Sequence, residues 1–145
     1  MTEQKVAKLE RELARKEATL ERGEAKNRLL IEISRHIGKA KAIGAGDLYE
    51  IVFEEPYEGN KITGTRRLRK LIEEVKYGDN PTLIAHSCCN IRPGYYIPVG
   101  SEEREYRERE DRKVKRKIGR LARLFRVSDA AYAGQLALSM TEDQE

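Results

Sequence analysis

The chain has 145 residues, 39% hydrophobic and 37% charged, with 29 Lys and Arg against 25 Asp and Glu for a formal net charge of +4. That supplies one modest core with appendages, and neither two full-sized domains nor a large buried active-site architecture. No apolar run reaches membrane-spanning length, no signal-peptide core opens the chain, and collagen-like, low-complexity and disulfide-scaffold compositions are excluded.

Residues 3–22 read as a surface helix. Val6, Leu13 and Leu20 recur every seven residues, Leu9 widens the stripe, and Glu12 with Lys16 forms a favourable i,i+4 pair. Lys16 and Gly23 interrupt the heptad, so this segment (1–22) could coil with a copy of itself, dock on its own domain or stand mostly exposed. Gly23 is expected to be a hinge or cap. Residues 24–42 form a second helix with Leu29, Leu30, Ile33 and Ile37 on one side. Gly44 and Gly46 end it, and Asp47 is placed to cap a short helix whose Leu48, Ile51 and Val52 suit a core. Pro56 and Gly59-Asn60 then make a long turn.

The clearest helix covers 65–77. Thr63 or Thr65 can cap it, and Leu68, Leu71, Ile72 and Val75 face inward. Arg66, Arg67, Arg69 and Lys70 crowd its first turns, where positive charge opposes the helix dipole; a bound anion would offset that cost. Across 82–99 the period changes. TLIAHSCC and GYYIPV read as a β-hairpin with Asn90, Arg92, Pro93 and Gly94 in or near its tip, and one of Tyr95 and Tyr96 packs inward. Ser101 opens a long helix to about Phe125 with Val114, Ile118, Leu121 and Phe125 as its stripe. Ser128 is placed to cap a short final helix. The fold class is therefore mostly α with a small β-hairpin.

Charge is segregated along the chain. Residues 43–60 carry Asp47, Glu50, Glu54, Glu55 and Glu58 and no base, a net −5, whereas 61–76, beginning at Lys61, carry a net +4. Residues 112–126 hold eight bases and no acid, with Arg112, Lys113 and Arg116 at their head. Two basic blocks separated by acid suit a polyanion. The second block could lie along the same polyanion or leave its bases in solvent while its apolar stripe finds a partner.

The order helix, short helix, turn, basic helix, strand, tight turn, strand resembles the winged helix-turn-helix DNA-binding family of phage and bacteria. The likeness covers about residues 28–99, within a domain drawn at 24–99, and is most specific in TGTRRLRKLIEEVKYGDNPTLIAHS and RPGYYIP. Residues 101–145 then form a C-terminal helical extension. The resemblance implies double-stranded DNA as partner, with Thr65, Arg66, Arg67, Arg69 and Lys70 facing it and Asn90 and Arg92 on the wing. The chain departs from the pattern in a longer link from Val52 to Ile62 and in lacking an effector or catalytic domain. Physical chemistry supports the same set independently: arginine bonds guanine in a major groove, and Gly64, beside Thr63, lets backbone N–H groups approach a phosphate.

Catalytic chemistry has little to stand on. His86 and Cys88 can share a strand face, but with Cys89 adjacent and His36 remote they do not make a zinc site, and no nucleophile elbow or phosphate loop occurs. Cys88 and Cys89 read as free thiols of a reducing cytoplasm. The expectation is a non-enzymatic DNA-binding protein without cofactor, metal or membrane association. It would be a transcriptional regulator or a phage DNA-transaction factor in the host cytoplasm, and a homodimer through its terminal helices. The alternative is an interaction module whose winged scaffold binds a host or replication protein.

Overall fold

The computed structural model describes residues 3–59, 64–88 and 93–143. These are mostly helical with one small antiparallel strand pair, the expected class. The chain divides into two compact units, Met1–Val99 and Gly100–Glu145.

The first unit opens with α1 (Glu3–Ile33), one unbroken helix that passes through Gly23. The expected hinge there is corrected. A mid-helix glycine costs about 1 kcal/mol relative to alanine, and here the helix is held from its C-terminal third, where Ala25, Leu29 and Ile33 are buried. The helix also stops nine residues short of the expected 42. After Ile33 the chain turns out through Ser34 and Arg35 and runs along the edge of the hairpin, which leaves Ile37 exposed rather than on the helix's apolar side.

A 3-10 turn (Lys39–Lys41) leads to α2 (Ala45–Phe53). Gly44, not Asp47, is the N-cap of α2. Asp47 lies in the first turn, and no side chain caps the helix. Leu48 and Val52 are buried, but Ile51 is exposed because it falls on the helix's other side. Glu54 ends α2 in the left-handed region (φ 53°) and starts the return of the chain. Tyr57 then packs over Gly46, where a Cβ would lie 2.9 Å from the ring, and its N–H donates to Glu50 Oε1 at 3.1 Å.

Helix α3 (Arg66–Tyr77) buries Leu68, Leu71, Ile72 and Val75, the four positions its spacing predicts. Each fully buried leucine contributes about 2–3 kcal/mol of transfer free energy. Thr65 stands at the N-cap, but its hydroxyl makes no capping bond to the helix. Two further contacts lock α1 across this bundle. Arg22 pairs with Glu74 of α3, and Arg28 Nε donates to the Val52 carbonyl at the end of α2 at 2.6 Å.

The hairpin is shorter than its sequence pattern suggests. β1 (Ala85–Ser87) pairs antiparallel with β2 (Gly94–Tyr96) in the register Ala85 with Tyr96, His86 with Tyr95 and Ser87 with Gly94. The other edge of β2 is occupied as well. Ile43 and Tyr95 exchange backbone bonds at 2.8 and 2.9 Å, and Ile97 is held by His36 and Gly38. Gly94 is therefore buried within the strand pair, opposite Ser87, where the described part of the hairpin ends.

The second unit is a helical hairpin of α4 (Ser101–Leu124) and α5 (Asp129–Glu142). Its turn is a Schellman motif built without glycine. Arg126 takes the left-handed conformation (φ 55°), its N–H donates to the Arg123 carbonyl, and Val127 N–H donates to that of Ala122 at 2.9 Å. Ser128 caps α5 as expected, accepting from Ala131 N–H at 3.1 Å. The expected stripe of α4 needs correction. Val114 and Phe125 are exposed, and the buried positions are Gly119 and Ala122, whose small size permits close helix approach.

Candidate nucleic-acid interface

The inward positions of α3 fix what its outward face presents. With four apolar side chains pointing to the core, helical spacing puts Arg66, Lys70, Glu73 and Tyr77 along the opposite ridge. Arg66 and Lys70 are exposed and make no ion pair among the described residues. Tyr77 is 76% exposed, with the Lys76 ammonium 5.5 Å from its ring centre. Tyr77 was not expected as a contact residue, although the spacing Arg66, Lys70, Glu73, Tyr77 places it there.

Arg67 sits differently. Its guanidinium lies 4.2 Å over the Phe53 ring and pairs with Glu55 at 3.3 Å, while Tyr49 donates its hydroxyl to the same carboxylate. The acidic stretch after α2 thus already offsets one of the four bases at the start of α3. Between this arginine and α1 lies a hollow of about 250 Å³ lined by Ala18, Arg22, Ala25, Lys70 and Leu71 among others.

On the other flank of α3, Arg69 and Lys76 face the hairpin. Burial raises the Tyr95 phenol above its ordinary value of 10.0, and the nearby Arg69 and Lys76 charges partly pull it back. The His86 ring meets Tyr95 edge-on at 4.8 Å, and His86 Nδ1 stands 3.5 Å from Cys88 Sγ. Arg69, Lys76, His86 and Tyr95 therefore share the angle between α3 and the strands. Tyr96 is the inward member of the tyrosine pair, 5% exposed.

Tyr95 makes a pH prediction. The folded chain holds the phenolic proton more tightly than the unfolded chain, so this contribution to stability is complete below about pH 10 and is lost as pH rises through the folded-state pKa. Tyr49 is raised too, first by its bond to Glu55. Absorbance titration is expected to show late-ionising tyrosines, Tyr49 and Tyr95 among them, out of the seven in the chain. Tyr95→Phe should remove one of them. Seven tyrosines ionising together would contradict the geometry.

The remaining expected contacts divide. Thr65 is buried, 7% exposed, so it does not face outward as expected; the N-cap position tucks it under the first turn. Gly64 is half-buried and lines a hollow with Tyr49, Glu55, Pro56, Tyr57 and Glu58, so its neighbours are carboxylates. Lys61, Thr63, Asn90 and Arg92 lie outside the described residues, as does Cys89. Cys88 is a free, exposed thiol.

Helix α4 carries its bases in a separate unit. Arg112, Arg116, Arg120 and Arg123 recur at spacings of four, four and three and are all exposed, forming one face of the helix. Lys113 pairs with Glu110 at 2.8 Å, and Arg116 Nε donates to the Arg112 carbonyl at 3.4 Å. Among the described residues, no group of three or more His, Cys, Asp or Glu is arranged to hold a metal, and no helix is long and apolar enough to cross a membrane.

No family model matches this chain, and neither a curated protein nor a solved structure matches it.

Proposed function

We propose that the protein is a non-catalytic double-stranded DNA-binding protein of winged helix-turn-helix type, acting as a regulator or DNA-transaction factor by occupying its site. The observation that carries this reading is the outward ridge of α3, where Arg66 and Lys70 are exposed and make no ion pair among the described residues. A helix of this width enters a major groove, where arginine bonds guanine edges and lysine meets phosphate. Arg69 and Lys76 extend the positive surface toward β1 and β2, and the backbone pairing of Ile43 with Tyr95 braces the strands from behind. Arg67, already held by Glu55 and Phe53, orients the start of α3 rather than reading bases. The arginine face of α4 supplies a second, sequence-independent attachment to phosphates.

Duplex affinity measured between low and physiological salt tests the reading. Lys70, Arg69 and Lys76 together with the four arginines of α4 would neutralise about seven phosphates, which predicts a slope of about −6 in log K against log salt concentration. Affinity indifferent to salt, or no duplex binding at low salt, would contradict it and favour the protein-binding alternative.

A further inference from the structure

Among the described residues nothing covers the apolar stripe in the first two-thirds of α1, and its direction is fixed. Every residue from Glu3 to Glu24 is exposed, including Val6, Leu9, Leu13 and Leu20, which are 39% to 69% exposed. Because α1 is continuous, the orientation of this stripe follows from the buried residues of the same helix. At 3.6 residues per turn, Leu9, Leu13 and Leu20 point about 180° away from Ala25, Leu29 and Ile33. The stripe therefore turns its back on the core formed with α2 and α3. Arg22 on Glu74 and Arg28 on the Val52 carbonyl hold that rotation.

Charge selects the occupant. Val6, Leu13 and Leu20 fall at one core position of a heptad, and Leu9 and Lys16 at the other. One edge of the stripe is wholly acidic, with Glu3, Glu10, Glu17 and Glu24; the other carries Lys5, Glu12, Thr19 and Lys26. Two antiparallel copies would set the acidic edge against itself along its whole length. Two parallel copies set unlike edges together and bring Lys5 of each chain to Glu10 of the other, at the cost of one repulsive Glu12 to Glu17 contact. Lys16 inside the stripe lowers the strength of the coil while fixing its register.

We propose that the leader part of α1 pairs with a second copy of this chain as a parallel, two-fold coiled coil. Both α1–α3 units then hang from the same end of the coil. That arrangement lets two copies of α3 address neighbouring half-sites if the duplex reading holds, but the pairing itself does not depend on that reading.

Sedimentation equilibrium of the full chain at micromolar concentration should give twice the 16.7 kDa chain mass. Leu13→Glu with Leu20→Glu should return it to a single chain mass with helicity unchanged by circular dichroism, since both side chains are exposed in the single chain. In a Cys88→Ser, Cys89→Ser background, Leu9→Cys should cross-link to its own counterpart under mild oxidation, because only a parallel register brings the two together. A single chain mass for the unsubstituted protein would overturn the proposal. So would a dimer indifferent to Leu13→Glu and Leu20→Glu, or a dimer in which the Leu9→Cys thiols stay uncoupled.

Discussion

Replacing Arg66 and Lys70 together with alanine is expected to weaken duplex binding by roughly 30- to 1000-fold while leaving the fold intact. The estimate takes about 1–2 kcal/mol for each lost contact to a base edge or phosphate, with each 1.4 kcal/mol worth a factor of ten. Both side chains lie on the ridge opposite Leu68, Leu71, Ile72 and Val75 and make no ion pair among the described residues, so their loss removes nothing from the core. Arg67→Ala behaves differently. It releases Glu55 and uncovers Phe53, so its effect on stability should exceed that of Arg66→Ala by a few tenths of a kcal/mol or more. Electrophoretic mobility shifts paired with thermal melting separate the two outcomes. Equal loss of binding from Arg66→Ala and Arg67→Ala, with equal melting, would show that the ridge and the flank are not distinguished.

Gly94→Ala is expected to be the most destabilising single methyl addition in the hairpin. Gly94 has φ 147°, a conformation L side chains rarely adopt, and a Cβ there would lie 2.0 Å from the Ile43 carbonyl oxygen. The obstacle is backbone that itself bonds Tyr95 through both of its polar groups, so it cannot move aside without breaking the pairing of Ile43 with β2. Loss of that bracing should cost about 2–4 kcal/mol and lower the thermal midpoint by roughly 5–15 °C. Gly59→Ala is the matching control. It also has positive φ, but no described residue lies within 4 Å of a Cβ there, so only the backbone strain of about 1 kcal/mol is expected. If the two variants melted together, the close approach of Gly94 to Ile43 would not be what holds the strands.

Local pattern made α3 readable because its four core residues, its charged face and its Gly78 stop all fall within one short segment. Ser101 and Ser128 were readable for the same reason, since a helix start is announced by the residues beside it. Gly23 misled because the cost of one glycine is small against the tertiary anchoring of the following turns. Ile37 and Ile51 misled because apolar character alone does not tell which face the chain turns inward. Ile37 leaves the helix to follow β2, a choice made by backbone pairing with residues some sixty positions away. The neutralisation of Arg67 was hidden too, because Glu55 and Phe53 meet it only once α2 and α3 are folded together. Of the expected contact set, Arg66, Arg67, Arg69 and Lys70 keep exposed positions on α3, Arg67 with its guanidinium held by Glu55 and Phe53, whereas Thr65 does not. Tyr77 joins them through helical spacing that was available in the sequence.

If the protein binds DNA as proposed, the ridge of α3 and the adjoining strands meet the duplex. Amide chemical-shift mapping of the isotope-labelled full chain during titration with a short duplex tests it most directly. Perturbations are expected to concentrate at Arg66–Tyr77 and at the strands Ala85–Ser87 and Gly94–Tyr96, and to diminish with Arg66→Ala and Lys70→Ala. Shifts confined to the leader part of α1 or to α5, or no shifts at any duplex concentration, would contradict it.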